Sequence, residues 1–67
     1  MSETLALHTR FRAARLSARL TQAQMAEKLR ISQAYISQIE SGLRTPSLRV
    51  LRQAARSTGV SVAQLIE

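Results

Sequence analysis

Gln33, Ala34, Ser37 and Gln38 stand at spacings i, i+1, i+4 and i+5. At about 100° per residue, a helix gathers all four on one face. The chemistry of that face is hydrogen bonding without charge: two amides, one hydroxyl and one methyl. Such groups match the edges of nucleic-acid bases, and a glutamine amide can donate to adenine N7 while accepting from N6. An ordinary solvated helix face would carry the same residue types. None of the four is acidic, so the face could approach phosphates without repelling them. Ala34 either touches a thymine methyl or is neutral. Tyr35, the sole tyrosine, lies beside this face and either bonds a phosphate or packs on a neighbouring helix.

Charge points the same way. Ten Lys and Arg oppose four Asp and Glu in 67 residues, a formal net charge of +6. All the cations but Lys28 are arginines. The planar guanidinium donates two parallel hydrogen bonds, which suits phosphate and guanine. Excess positive charge of this density suggests a polyanion partner, although a solvated basic surface would look alike from composition. Arg49, Arg52 and Arg56 form a stripe of their own that reads as a solvated face, with Arg49 near enough to a helix start to reach phosphate. Arg10, Arg12 and Arg19 are ambiguous.

A face of this kind needs a helix with an apolar back, and that helix needs neighbours. Leu7, Phe11, Ala14 and Ala18 follow helical spacing. Thr21 with Gln24 forms a capping box, opening a helix that turns Met25, Ala26 and Leu29 inward. Ser32 is an N-cap, and Ile36 and Ile39 anchor the helix it opens. Gly42 sits where a helix end wants a left-handed residue. Thr45-Pro46 reads as an N-cap with proline at the first helical position, and Leu48, Leu51, Ala54 and Ala55 as the inner face that follows. Ser61 with Gln64 opens a short last helix with Val62, Leu65 and Ile66 inward. The expected helices cover roughly residues 5–18, 21–29, 32–41, 46–57 and 61–66. Only Arg30-Ile31 separates the second from the third, so the two must cross steeply, with Ala26 allowing close approach and Ile31 plugging the turn. One all-α domain over residues 1–67, with 1–4 as a flexible tail, is the expectation.

The segments Gln22–Leu29 and Ser32–Gly42, then Pro46, then Gly59–Ile66, resemble the Cro/C1-type (XRE-like) helix-turn-helix family. The resemblance covers roughly residues 10 to 66 and is specific as a set. It implies a five-helix lambda-repressor-like fold and binding of double-stranded DNA. Gln33, Ala34, Ser37 and Gln38 would then face base edges. Gln22, at the start of the second helix, would bond a DNA phosphate, and Arg44 and Thr45 would grip the backbone from the loop after the third helix. Arg15 matches a family arginine that pairs with the glutamate matching Glu40, a structural lock between first and third helices. Arg19 and Arg30 replace usual glycines. A left-handed backbone at Arg30 would cost on the order of 1 kcal/mol, which a phosphate contact through Arg30 would offset.

Other chemistries have little to stand on. There is no cysteine, hence no disulfide or thiolate metal site. His8 has no ligand partners in sequence, no Ser/His/Asp arrangement or paired acids are visible, and no glycine-rich phosphate loop is present. No enzyme, metal or cofactor is expected. No apolar run approaches the roughly 20 residues that span a bilayer, and the first residues do not form a secretory signal, so a cytoplasmic protein without a membrane partner is expected. The functional expectation is a transcriptional regulator, a repressor or small controller protein, binding a palindromic operator as a homodimer through a surface near Val62, Leu65 and Ile66. Contact with RNA polymerase fits the same picture. The rivals are an antitoxin whose main partner is a toxin, and a basic amphipathic protein docking on anionic membrane or RNA; the polar third helix argues against membrane docking.

Overall fold

The computed structural model describes residues 6–67, and the expected tail at 1–4 lies outside them. Five helices follow one another: α1 (Leu7–Ser17), α2 (Gln22–Leu29), α3 (Gln33–Ser41), α4 (Leu48–Thr58) and α5 (Val62–Ile66). No strand occurs among the described residues. α1 packs on α3, α4 and α5, α2 on α3 and α4, and α4 on α5. The shared core is Phe11, Met25, Leu29, Ile36, Ile39 and Leu65, all essentially removed from solvent, with Ala14, Ala26, Val50, Leu51, Ala54 and Ala55 filling between them. Leu7, Ile31 and Val62 pack partly buried against it. No helix among the described residues is long and apolar enough to cross a membrane.

The helix starts are set by local chemistry. Thr21 Oγ1 accepts from the Gln24 N–H at 3.0 Å, and Gln24 Oε1 accepts in return from the Thr21 N–H at 2.9 Å. Ser61 and Gln64 repeat that reciprocal arrangement at α5. Ser32 Oγ caps α3 by accepting from the Tyr35 N–H at 3.0 Å. Each such cap satisfies donors that no helical carbonyl can reach, and is worth about 1 kcal/mol.

α4 corrects the expectation. Its N-cap is Ser47, whose Oγ accepts from the Val50 N–H at 3.2 Å, and Pro46 lies before the helix, buried. The expected Thr45 cap is not used; the helix starts two residues later than expected, with Pro46 buried ahead of it. The stripe turned inward is Val50, Leu51, Ala54 and Ala55. Leu48 stands roughly 90° from the centre of that stripe and is 54% exposed, not part of the inner face. On α5, Leu65 is buried as expected, whereas Ile66 is half out in solvent because five residues make too little helix to enclose two large side chains.

The turns need left-handed backbone, and the sequence supplies it in two ways. Gly42 takes φ +85°, and a Cβ there would stand 3.4 Å from His8 Nδ1, so the ring of α1 packs over the end of α3. Arg19 and Arg30 adopt φ 61° and 57° despite their side chains. Both are held by doubled hydrogen bonds: the N–H groups of Arg30 and Ile31 donate to Glu27 and Ala26 oxygens, and those of Arg19 and Leu20 to Leu16 and Arg15 oxygens. Tertiary burial of Leu20 and Ile31, each partly packed on the core, holds the strained turns in place.

Candidate nucleic-acid interface

α3 carries the proposed reading residues on the side opposite its isoleucines. Ile36 and Ile39 are fully buried, whereas Gln33, Ala34 and Ser37 are exposed and Gln38 is half-buried. The four therefore share an outer face, as their spacing requires. Glu40 is the one acid of α3, and its charge is consumed inside the protein. Arg15 Nε and Nη2 donate to Glu40 Oε2 and Oε1 at 2.6 and 2.9 Å, a two-pronged ion pair with side-chain exposures of 9% and 4%. The third nitrogen, Arg15 Nη1, donates to the Leu20 carbonyl at 2.9 Å, so the same guanidinium also holds the turn after α1. The expected lock between first and third helices is in place.

Gln22, at the first position of α2, is drawn into this lock. Its side-chain amide donates to Glu40 Oε1 at 3.1 Å. That bond uses one of the two amide hydrogens and fixes the side chain at the N-terminus of α2, where the helix dipole favours an anion. Around it lies a polar cleft of about 310 Å³ lined by Arg12, Arg15, Gln22, Ser37, Glu40 and Ser41. Arg12 is exposed, and with the Gln22 amide it gives the cleft two donors suited to a phosphate oxygen. Arg12 was ambiguous in the sequence. The usable signal is its position three residues before Arg15, which puts both on one side of α1.

A second cleft, about 360 Å³, flanks the other side of the reading face and is lined by Ser32, Ala34, Tyr35, Gln38 and Arg44. Tyr35 packs partly buried against the core, and Arg44 Cζ lies 5.9 Å from the centroid of its ring. Arg44 Nε donates to Gln38 Oε1 at 2.7 Å. Thr45 is exposed in the same loop. Arg30 is exposed at the turn between α2 and α3, outside the linings of both clefts. Arg49, Arg52 and Arg56 are exposed on α4, the solvated stripe expected of them, and Arg10 ties α1 to α5 by donating to the Gln64 carbonyl at 2.9 Å.

A helix bearing uncharged donors and acceptors, bordered by a donor-lined cleft on each side, has the form that a major groove requires. The groove presents base edges at its floor and a row of phosphates along each wall. A helix-turn-helix family model matches residues 11–65.

The chain belongs to the helix-turn-helix family. Its helix-turn-helix proper is α2 and α3, joined by the turn at Arg30 and Ile31. Among curated proteins, it is 37% identical over 57 residues to the immunity repressor of Bacillus phage phi105, covering 85% of this chain and 40% of that repressor. It therefore spans less than half the length of that relative. Among solved structures, the P22 c2 repressor in complex with a synthetic operator superposes with a TM-score of 0.87 at 25% identity, covering 96% of this chain and 97% of that one. The clp gene regulator ClgR of Corynebacterium glutamicum gives 0.84 at 31% identity, with 96% and 71% covered. The five-helix repressor-like fold is thus shown.

Proposed function

We propose that this helix-turn-helix chain is a sequence-specific regulator of transcription that binds a palindromic operator in double-stranded DNA as a homodimer. The observation that carries this reading is the outer face of α3, with Gln33, Ala34 and Ser37 exposed, Gln38 half-buried, and the helix's one carboxylate sealed under Arg15. Gln33, Ala34, Ser37 and Gln38 contact base edges. Gln22, Arg44, Thr45, Arg30 and, from the cleft it lines, Arg12 contact the backbone; Tyr35 supports Arg44. Backbone contacts set position and affinity, and base contacts set sequence.

The relatives support the same reading. A phage repressor and a gene regulator are similar in sequence, and a repressor similar in structure was solved with an operator. None of those proteins is an antitoxin, so the toxin-partner reading gains nothing from them. Occupancy of the operator is a mode of action that needs only the DNA-binding surface, and two copies would read half-sites with centres about 34 Å apart. The exposed Ile66 is the apolar group that the α5 surface offers a second copy.

Selection from random double-stranded DNA tests this reading. A two-fold related consensus is expected. Gln33→Ala should then cost roughly 1–3 kcal/mol on the consensus site and relax preference at one position per half-site. Equal losses on the consensus and on random DNA would contradict base reading by Gln33.

A further inference from the structure

Arg44 is tied to Gln38 twice. The Gln38 carbonyl accepts from the N–H groups of both Leu43 and Arg44, at 2.9 and 3.1 Å, where the chain turns back through the left-handed Gly42. The side chains are joined as well, Arg44 Nε donating to Gln38 Oε1 at 2.7 Å. The guanidinium is further steadied by the Tyr35 ring below it. An arginine nitrogen can only donate. The Gln38 amide therefore turns its oxygen toward Arg44 and its NH2 group away, and among the described residues that NH2 group has no partner.

A free glutamine amide can be rotated by 180° at little cost and can present donor and acceptor in either order. In this chain the order is fixed. The remaining lone pair of Gln38 Oε1 lies beside a cation, where the amino group of adenine, a donor, would meet other donors. What the pair offers outward is donors alone: two hydrogens on Gln38 and the terminal nitrogens of Arg44. The base edge that answers donors alone is guanine, with N7 and O6 accepting side by side in the major groove.

We propose that Arg44 is a positioning residue for specificity, holding Gln38 so that it selects guanine over adenine. This rests on the operator-binding reading above. Arg44 keeps its terminal nitrogens for DNA, so a backbone contact through them is compatible with the role.

Selections from random DNA with the unaltered chain, Gln38→Ala, Gln38→Glu and Arg44→Ala test it, with thermal melting to confirm that each variant folds. The unaltered chain should select guanine at one position per half-site, and Gln38→Ala should make that same position indifferent. Arg44→Ala should lower the preference for guanine over adenine there by about ten-fold or more, since the released amide can turn to pair with adenine. Gln38→Glu, which can only accept, should exchange guanine for a base with an amino group, cytosine or adenine. Adenine at that position with the unaltered chain overturns the inference. So does an Arg44→Ala variant that binds all DNA more weakly yet keeps the guanine, since Arg44 would then be a phosphate contact alone. A Gln38→Ala variant that erases no position also overturns it. No consensus at all from the unaltered chain refutes the operator reading itself, a separate and recognisable outcome.

Discussion

Replacing Arg15 by methionine should come close to unfolding the domain, while replacing Arg15 and Glu40 together by methionine and leucine should not. A 67-residue domain has a total stability of roughly 3–10 kcal/mol. Arg15 and Glu40 are buried, and their two-pronged bond is supplemented by Gln22 and the Leu20 carbonyl. Removing one partner leaves an uncompensated charge inside, at a cost of roughly 3–5 kcal/mol. That is comparable to everything holding the fold together, and corresponds to a fall in Tm of roughly 12–40 °C for a domain of this size. Removing both charges avoids the penalty, and well-packed apolar replacements of such pairs range from neutral to stabilising by about 1–4 kcal/mol. Denaturant melts of the two single variants and the double variant give the coupling energy directly. The double variant also separates fold from function. Gln22 would have lost the acceptor that holds it, so DNA affinity should drop roughly 2- to 13-fold, the range for one hydrogen bond. Glutamine is uncharged and releases no counterion, so the salt dependence should stay as it was. An Arg15→Met variant melting within a few degrees of the unaltered chain would refute the energetic reasoning. A folded double variant with full affinity would show that Gln22 needs no anchor.

Two further perturbations address the strained turn and the assembly. Arg30 is exposed with φ 57°, so Arg30→Gly should remove about 1–2 kcal/mol of strain and give back about 0.4–1 kcal/mol in chain entropy, leaving the domain more stable by about 0.8 kcal/mol at the middle of those ranges. The same variant should flatten the salt dependence of DNA binding by about one unit, the mark of a lost phosphate contact; a raised Tm with an unchanged slope would remove Arg30 from the interface. Ile66→Glu, at a side chain already 51% exposed, should leave the melting temperature nearly unchanged and weaken self-association by at least about ten-fold, read by sedimentation. Unaltered sedimentation would move the dimer surface elsewhere, to the exposed Leu43 and Leu48.

What could be read from the sequence is what local chemistry decides. The capping boxes at Thr21 and Ser61, the Ser32 cap and the left-handed Gly42 each act through neighbours three or four residues away, and each stands where its spacing puts it. The inward stripes of α2 and α3 follow for the same reason, because one helical period fixes both faces at once. α4 shows the limit. Thr45-Pro46 is a sound local signal for a helix start, yet the helix opens two residues later at the Ser47 cap, with Pro46 buried ahead of it. Leu48 and Ile66 escaped because an apolar residue at the edge of a stripe has no sequence mark of its exposure. The site divides along the same line. The outward glutamines were legible from the helical period, but the Arg15–Glu40 pair spans 25 residues and has no periodicity to betray it; only resemblance pointed to it. The Arg44–Gln38 bond spans six residues, short enough to seem local, yet it exists because Gly42 reverses the chain and delivers Arg44 back over the last turn of α3. A reading based on spacing alone treats Gln38 as an isolated amide that donates and accepts freely. The turn makes it one half of a hydrogen-bonded pair, and under the proposal above the pair would prefer a different base from the residue alone.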